Sequence, residues 1–319
     1  MKGQMTELVI RSYEDSDLQA LAELINAADQ VDKAGFATTL EGLAHDLADP
    51  RIQALDNVFL AESHGQLVGY VGMTMRQHEG HECAVAYGIV HPDWRRQGIG
   101  TALMKRAEER ARGLKGAKPL FLDMRVRERV AGAAELAMSL GLQPVRHSFY
   151  MECYDLQHLP EPIFPNGIRL RNYLVGQDEA AFAAAYSEAF SDHWGSVPHT
   201  LEQEMHRVSA PGFRAEDNLL AVDQDGRIAG LCLVEFPKAE GDMPHSNPPM
   251  IDDLAVRRAY RRRGIGRALL LAGMHRIRHE GFSGAALAVD ADNPNRALRL
   301  YESVGFAVKS RGTVYRKGL

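Results

Sequence analysis

Arg261-Arg262-Arg263-Gly264-Ile265-Gly266 is the stretch of sequence that decides the fold, and a second copy of it reads Arg95-Arg96-Gln97-Gly98-Ile99-Gly100. Each copy follows a strand-like apolar run and opens a helix-like one. A loop in this position presents successive backbone N–H groups at the positive end of a helix dipole, and its glycines have no Cβ to hold a ligand away. Each copy therefore predicts a site that binds pyrophosphate.

Two other interpretations of the glycine loops can be weighed from the sequence. A dinucleotide-binding loop needs Gly-x-Gly-x-x-Gly and an acidic residue about 20 residues further on, and neither copy has that glycine spacing. An ordinary glycine-containing helix start beside a solvated basic patch is the other alternative. Repetition in the same strand-to-helix context argues against it.

The glycine loops are part of a longer internal repeat. A second pair of dipeptides, Gly141-Leu142 and Gly305-Phe306, has nearly the same spacing as Gly98 and Gly264. In each half a strand and two helices precede three strands, and then a helix, a strand and a helix follow. The chain is therefore predicted to contain two copies of one α/β module with a mixed sheet and helices on both faces.

The boundary between the modules is predicted in residues 155–167. Three prolines, Pro160, Pro162 and Pro165, interrupt the hydrophobic periodicity there and favour an extended connector. We expect an N-terminal domain at residues 1–157 and a C-terminal domain at residues 158–319.

Composition excludes several classes of protein. The 319 residues include 45% hydrophobic and 25% charged residues, and the net charge of −5 argues against a main role on nucleic acid or an anionic membrane. No apolar stretch approaches the roughly 20 residues that span a bilayer, and no signal-peptide segment is seen, so we predict a cytoplasmic protein. Cys83, Cys153 and Cys232 lack the spacing of metal ligands. They are predicted to be buried thiols, and no metal is expected.

Two motifs in the second half resemble those of a known family. Val-x-x-x-Tyr-Arg-x-x-Gly-x-Gly spans residues 256–266, and Asn-x-x-x-Ala-x-x-Leu-Tyr-x-x-x-Gly-Phe spans residues 293–306. Together they resemble the acetyl-CoA-binding and C-terminal motifs of the GNAT N-acetyltransferase superfamily, and the duplication is similar to its tandem members. The resemblance implies two tandem GNAT acyl-CoA N-acyltransferase domains with acetyl-CoA (coenzyme A) as the cofactor.

The resemblance places the cofactor at the strand, loop and helix start around each glycine motif. The loop amides would hydrogen-bond the pyrophosphate, Arg262 and Arg263 would add positive charge, and Asn293 would support the cofactor or cap the next helix. It also implies that the strands beside the loop separate and expose N–H groups to the thioester oxygen. The cofactor candidates are Leu254, Ala255, Val256, Arg261, Arg262, Arg263, Gly264, Ile265, Gly266, Arg267 and Asn293, with Val90, Arg95, Arg96, Gln97, Gly98, Ile99, Gly100 and Thr101 in the first copy.

Tyr301 is predicted to be the general acid, because in the family a tyrosine here protonates the departing CoA thiolate. A phenol with a pKa of about 10 stays protonated at neutral pH and can hydrogen-bond a thiolate whose conjugate acid has a pKa of about 8.5. The alternative is a core aromatic residue, since Leu298, Tyr301 and Val304 share helical spacing.

A general base is required because an alkylammonium group with a pKa of about 10.4 is almost fully protonated at neutral pH. Asp252 and Asp253 lie on the strand before the second glycine loop, and Glu235 lies on the neighbouring strand. We rank Asp253 first, with Asp252 and Glu235 next. An edge-exposed or loop-facing role is the alternative for each. His193 and Trp194 follow the first helix of the second module, where the family builds its acceptor pocket, and are predicted to contact the acceptor.

The first copy departs from the family motif. Aligning Gly141 with Gly305 puts Ala137 opposite Tyr301 and Arg129 opposite Asn293. The glycine loop is kept while the acid is lost. We therefore predict that the N-terminal domain is degenerate in catalysis and either holds acetyl-CoA or is structural.

The sequence thus predicts an N-acetyltransferase that moves acetyl from acetyl-CoA to a primary amine by direct attack. The acceptor is a small-molecule or peptide amine, with no nucleic acid or membrane partner. Two alternatives remain: a non-catalytic acetyl-CoA-binding or regulatory protein, which the retained Tyr301 disfavours, and an acetyltransferase acting on protein lysines or N-termini.

Overall fold

The computed structural model describes residues 8–237, 248–293 and 297–319. The chain forms two compact units. Unit 1 contains the residues up to Arg146 together with Gly312–Leu319, and unit 2 contains His147–Arg311. Both units have the α/β architecture and the mixed sheet that the sequence predicts.

Unit 1 is built on a sheet of six strands in the part of the chain that the structure describes. Its neighbouring strands are antiparallel except β4 and β5, which are parallel because α4 crosses between them. The strand order is β1 (Leu8–Ser12), β2 (Val58–Ser63), β3 (Gln66–Gln77), β4 (Glu82–Val90), β5 (Leu120–Arg127) and the end of β12 (Ala307–Gly318). The helices are α1 (Leu18–Asp32), α2 (Leu40–Leu47), α3 (Ala54–Asn57), α4 (Ile99–Gly113) and α5 (Ala133–Ser139).

Unit 2 repeats this plan, with a parallel pair of strands joined by α8. Its strand order is the end of β6 (Gln143–Cys153), β11 (Ala285–Asp290), β10 (Met250–Val256), β9 (Ile228–Glu235), β8 (Asn218–Val222) and β7 (Arg169–Asn172). Its helices are α6 (Glu179–Phe190), α7 (Leu201–Val208), α8 (Ile265–His279) and α9 (Ala297–Glu302). The predicted start of the last helix, Pro294, lies outside the described residues.

The final strand of each sheet comes from a distant part of the chain. Gly312–Gly318 pair with Phe121–Arg127 in unit 1. Ser148–Cys153 pair with Ala285–Asp290 in unit 2. The boundary at residue 157 stays a prediction about the repeats of the sequence. The compact units divide after Arg146 and before Gly312, and they thereby exchange these strands. The sequence does not reveal the exchange, because a strand stands at the same place in both repeats.

Two hydrophobic clusters cover the two faces of the unit 2 sheet. Because successive strand residues point to opposite faces, Leu231 and Leu233 pack on the α6 side while Cys232 and Val234 pack with α8. Each fully buried leucine, such as Leu269 on α8, contributes about 1.5–3 kcal/mol. This packing fixes β10 between two helices.

Two further sequence predictions can be compared with the fold. All three cysteines are free and buried, as predicted. Among the described residues, no helix is both long enough and apolar enough to cross a membrane.

Candidate active site

The two parallel strands at the centre of unit 2 separate partway along their length. β10 pairs with β11 at Met250 with Ala286 and at Ile251 with Leu287. Both strands continue further, β10 to Val256 and β11 to Asp290, without another pair in the described part of the chain. Backbone groups of β10 beyond Ile251 are therefore available to a ligand on that side.

β10 also bulges against its other neighbour, β9. Ile251 lies opposite Val234 and Asp253 lies opposite Leu233, so Asp252 is an extra residue in β10. A bulge re-aims the side chains around it. As a result, the consecutive residues Asp252 and Asp253 line the same cavity.

The cavity lies where β10 and β11 separate and has a volume of about 140 Å³. Carboxyl, phenol, imidazole and apolar side chains surround it. Its lining residues are Phe190, His193, Ile251, Asp252, Asp253, Leu254, Ala288, Val289, Asp290, Asn293 and Tyr301.

Asp253 has the electrostatic properties of a base. Its Oδ2 accepts a hydrogen bond from the Tyr186 hydroxyl at 3.0 Å. Removal from bulk water and then the charge of Asp252 raise the pKa of Asp253 to about 7. Asp252 has exposed surface, yet the protein around it also raises its pKa by desolvation. A carboxyl group whose pKa lies close to neutral pH is suited to accept a proton at physiological pH.

Tyr301 lines the same cavity from α9 and belongs to the core cluster beneath it. It is 7% exposed, and its ring meets Phe306 edge-on with 6.2 Å between centroids. Burial, followed by the charges of Cys232 and Asp253, raises the pKa of Tyr301. Its hydroxyl is therefore protonated at neutral pH and can donate. The core and catalytic interpretations of Tyr301 are compatible.

Glu235 stands apart from the cavity lining. It lies on β9 opposite Met250 of β10, and its side chain is exposed. Strand alternation places it on the face of Leu233, and its charge contributes to the raised pKa of Asp253. A role for Glu235 as base stays a prediction.

The glycine loop before α8 has the shape of an anion cradle. Gly264 caps the helix with φ 85°, and Arg262 also has a positive φ of 60°. A Cβ at Gly264 would meet nothing within 4 Å, so that side of the loop is open. The first N–H groups of α8 have no partner within the helix and carry the positive end of its dipole.

Arg261 anchors the cradle through its side chain. Its Nε donates to the Val256 carbonyl at 2.9 Å and its Nη2 to the Ala189 carbonyl at 3.0 Å. A further bond joins Nη1 to Asp192. The side chain of Arg261 is therefore committed to holding the loop in place, which leaves its backbone amide for the predicted contact with pyrophosphate.

The other predicted cofactor residues divide into exposed and supporting side chains. Arg262, Arg263 and Arg267 are exposed around the loop. Leu254 lines the cavity. The side chains of Ala255, Val256 and Ile265 pack in or against the hydrophobic core. Only the backbone groups of these three residues are therefore left to bind a ligand.

The predicted acceptor residues separate in the structure. His193 lines the cavity, and its backbone N–H donates to the Phe190 carbonyl at 2.8 Å. Desolvation lowers the pKa of its imidazole. Asn293 lines the cavity too, and its N–H donates to the Asp290 carbonyl at 3.1 Å. Trp194 is half-buried and does not belong to the cavity lining.

Unit 1 keeps the cradle in the same conformation. Gly98 caps α4 with φ 85°, and Arg96 has φ 64°. Arg95 donates to the Val90 carbonyl at 3.1 Å and to both oxygens of Asp32, as Arg261 does to its own partners. Buried Ile99 and half-buried Gly100 and Thr101 begin the helix, and Gln97 is exposed.

Unit 1 lacks the chemical groups found in the cavity of unit 2. Counting back from Val90 and Val256, Tyr87 stands where Asp253 stands. β4 lies against β3 without the bulge that introduces Asp252. Ala137, opposite Tyr301 in the sequence repeat, is fully buried on α5. The first copy thus has the anion cradle without the paired carboxyl and phenol groups.

Sequence reasoning missed several residues of the site. Tyr186 and Phe190 on α6 contact Asp253 and the cavity, Asp290 ends β11 at the cavity, and Asp192 anchors Arg261. One signal was present: Phe182, Tyr186 and Phe190 recur at four-residue spacing, which indicates an aromatic stripe on one face of a helix.

The sequence profile described as the acetyltransferase (GNAT) family matches the chain twice. The matches cover residues 21–141 and 180–306, more than half of the chain. Each match contains one glycine loop.

The chain is also similar to proteins named mycothiol acetyltransferase. It is 29% identical over 331 residues to the one from Parafrankia sp., with 97% of each chain covered. It is 34% identical over 231 residues to the one from Thermomonospora curvata, with 72% of each chain covered.

Solved structures with similar folds include two proteins of comparable length. A GCN5-related N-acetyltransferase from Sphaerobacter thermophilus has a TM-score of 0.70 and 29% identity, covering 98% of this chain and 95% of that chain. A tandem GNAT protein from the clavulanic acid biosynthesis pathway has a TM-score of 0.71 and covers 98% of each chain. At 21% identity this second likeness shows the fold alone.

Proposed function

The chain belongs to the acetyltransferase (GNAT) family as a tandem-domain N-acetyltransferase, and we propose that unit 2 alone carries the reaction. One observation supports this proposal most directly: Asp253 and Tyr301, a carboxyl group and a phenol, line one cavity of about 140 Å³. Their counterparts in unit 1 are Tyr87 and Ala137. A phenol and a methyl group do not supply the same acid–base pair.

Members of the family use acetyl-CoA as co-substrate, and the cradle of unit 2 fits a pyrophosphate group. Gly264 leaves open space beside the loop, and the first amides of α8 are free to donate. The exposed side chains of Arg262, Arg263 and Arg267 would add positive charge to this site. When bound, acetyl-CoA supplies an acetyl group activated as a thioester.

In the proposed mechanism, the chain's own residues move two protons. Asp253 accepts the proton of the incoming ammonium group, which frees the nitrogen lone pair for attack. N–H groups of β10 beyond Ile251 stabilise the charge that develops on the carbonyl oxygen. As the carbon–sulfur bond breaks, Tyr301 donates its proton to the departing sulfur, and the second proton that the nitrogen loses on becoming an amide restores the phenol through solvent. No protein group forms a covalent bond to the acetyl group.

We propose that the acceptor is a small molecule with a primary amine. Three carboxyl groups, Asp252, Asp253 and Asp290, line the cavity, which suits a cationic head group. The similarity to proteins named mycothiol acetyltransferase supports a small-molecule acceptor.

The function is tested by release of free thiol from acetyl-CoA in the presence of an amine panel. The panel contains the free-amine precursor of mycothiol, an aminoglycoside, a polyamine and a peptide with a free N-terminus. We expect turnover with at least one small-molecule amine and acetylated product by mass spectrometry. Turnover with the peptide alone would contradict the proposed acceptor class.

Matched variants test the assignment of the active unit. Asp253→Asn should abolish turnover, whereas Tyr87→Phe at the equivalent position of unit 1 should leave it within about twofold. Glu235→Gln separates the second base candidate, because it should leave the pH dependence unchanged if Asp253 is the base. Inactivation by Tyr87→Phe in a folded protein would reassign the reaction.

A further inference from the structure

The Tyr186 side chain is fixed by two ring contacts and by a hydrogen bond from its hydroxyl. Its ring lies 4.5 Å from the Phe190 ring and 4.9 Å from the His199 ring, measured between centroids. Its hydroxyl donates to Oδ2 of Asp253 at 3.0 Å. A half-buried phenol fixed in this way has little freedom to turn away from the carboxylate.

His199 is fixed by a buried ion-pair network. Its Nε2 lies 2.9 Å from Oε2 of Glu204, which is fully buried. Arg207 donates to both oxygens of Glu204, at 2.9 and 2.7 Å. The Ser187 hydroxyl accepts from the His199 N–H at 2.8 Å and donates to the His199 carbonyl at 3.1 Å. The network therefore extends from α7 to the ring beside Tyr186.

Several ionisable groups face Asp253 besides Tyr186. Asp252 on its own strand and Glu235 on β9 carry like charge, and Arg207 on α7 is an opposite charge that lowers the pKa of Asp253. The remaining facing groups are Cys232 on β9, Tyr301 on α9, and His193 and Asp290 at the cavity. Tyr186 differs from the charged neighbours in kind, because its neutral hydroxyl donates a hydrogen bond to the Asp253 carboxylate.

We propose that Tyr186 is a positioning residue for the reaction, which orients Asp253 in the cavity and keeps its carboxylate form available near neutral pH. The proposal rests on the function proposed for Asp253 as the general base. By occupying Oδ2, the Tyr186 hydroxyl leaves Oδ1 as the oxygen that accepts the substrate proton. A hydrogen bond to the charged form stabilises that form, so its removal would make Asp253 protonate more readily.

The test is the pH profile of kcat/KM for Tyr186→Phe, which removes one oxygen and keeps the ring. We expect the rising limb of the profile to move to higher pH by about one unit, since a hydrogen bond to a charged group is worth about that shift. The plateau at high pH should stay within about tenfold of the wild type. A lower plateau with an unmoved limb would overturn the proposal, because a purely structural role predicts that result.

A matched control comes from the same aromatic cluster. The buried Tyr173 hydroxyl makes no hydrogen bond of normal geometry within the described residues, and burial followed by the charge of Glu204, which belongs to the network behind His199, raises its pKa. Tyr173→Phe therefore makes the same chemical change beside the same helices and should leave the rising limb in place. A shift as large as that of Tyr186→Phe would show a general effect of the cluster and overturn the proposal.

Two further variants make every outcome decisive. 3-Fluorotyrosine at position 186 keeps the packing, donates a stronger hydrogen bond and should move the limb to lower pH; no movement, or movement upward, counts against the proposal. Asp253→Asn tests the base itself. If the Asp253→Asn variant keeps the wild-type pH profile, the result contradicts both the proposed base and the role of Tyr186. If that variant is inactive and neither Tyr186 variant moves the rising limb of the pH profile, the result contradicts the role of Tyr186 alone.

Discussion

The guanidinium group of Arg261 donates to the carboxylate of Asp192 at 2.8 Å, which ties the glycine loop to the segment that follows α6. Hydrogen bonds from Arg258 and Arg261 lower the pKa of Asp192 to about 2, so it is ionised across the physiological range. His193, the next residue, lines the cavity. The proposed pyrophosphate site and the proposed acceptor site are therefore linked through the carboxylate of Asp192.

We first predict that Asp192→Asn weakens binding of both substrates. The loop loses a charged anchor, so the Kd of acetyl-CoA and the KM of the amine should rise about three- to tenfold while kcat changes less. Calorimetry and steady-state kinetics measure the two effects. Asp32→Asn removes the equivalent partner of Arg95 in unit 1 and should leave kcat/KM within about twofold. Equal losses in the two variants would contradict the role given to unit 2.

Tyr301→Phe should separate cofactor binding from chemistry. The ring keeps its contact with Phe306, so the Kd of acetyl-CoA should stay within about threefold, whereas kcat should fall by about 10²- to 10⁴-fold. Single-turnover kinetics ensure that the chemical step is measured. Wild-type turnover under those conditions would remove Tyr301 from the role of general acid.

The two cradles should respond differently to the same substitution. Gly264 and Gly98 both have φ 85°, so a valine at either position costs similar backbone strain, about 1–2 kcal/mol. Gly264→Val should abolish turnover and acetyl-CoA binding at unit 2, and Gly98→Val should leave turnover largely intact. Circular dichroism checks the fold of each variant. An inactive Gly98→Val with an active Gly264→Val would place the reaction in unit 1.

Gly266 offers a test of how close a ligand comes to the backbone. A Cβ there would lie 3.6 Å from Val256 Cγ2 and 3.8 Å from Leu300 Cδ2, which are ordinary packing distances. Gly266→Ala should therefore leave the melting temperature within about 3 °C. Gly266→Val, with its larger side chain, should raise the Kd of acetyl-CoA. Unchanged binding by a folded valine variant would show that no ligand atom approaches this position.

Asp253 should make the stability of the protein depend on pH in an unusual direction. Its pKa is about 7 in the folded protein against 3.8 as its ordinary value, so the folded state binds an extra proton between these values. The free energy of unfolding should thus fall as pH rises from about 4 to about 7. Asp253→Asn removes this contribution, so relative to the wild type the variant should be more stable at pH 8 than at pH 5.

Thermal melting at the two pH values measures this dependence. Asp225→Asn, in the exposed turn between β8 and β9, serves as the control and should show the same relative stability at both values. A difference between Asp253→Asn and the wild type that does not change with pH would contradict the raised pKa.

The sequence predicted the parts of the site that depend on local backbone chemistry. The glycines at the cradles, the duplicated loop and the alternation that places Glu235 with Leu233 all follow from dihedral preference or strand periodicity. Asp253 and Tyr301 were predicted as well, and they line one cavity although 47 residues separate them in the sequence. Tyr301 was predicted from the second family motif, whereas Asp253 was predicted from its place on the strand that leads into the glycine loop.

The remaining features depend on long-range contacts that no local pattern encodes. The bulge that introduces Asp252 is a mismatch between two strands and cannot be read from one of them. Arg261 looks like one more charge of a basic loop until Asp192 and the Val256 carbonyl are placed beside it. The partner of Asp253, Tyr186, comes from a helix that is distant in the chain.

The exchanged strands have a consequence for the biogenesis of the protein. Unit 1 is completed by Gly312–Gly318, which leave the ribosome only after all of unit 2 has been made. At about 5–20 residues per second, the exposed edge of β5 waits on the order of ten seconds or more for its partner. During that interval the nascent chain carries an unpaired strand edge, which is a site where chains can associate wrongly. Unit 2, by contrast, already has its β6 segment when β11 emerges, so the half that carries Asp253 and Tyr301 can close its sheet first.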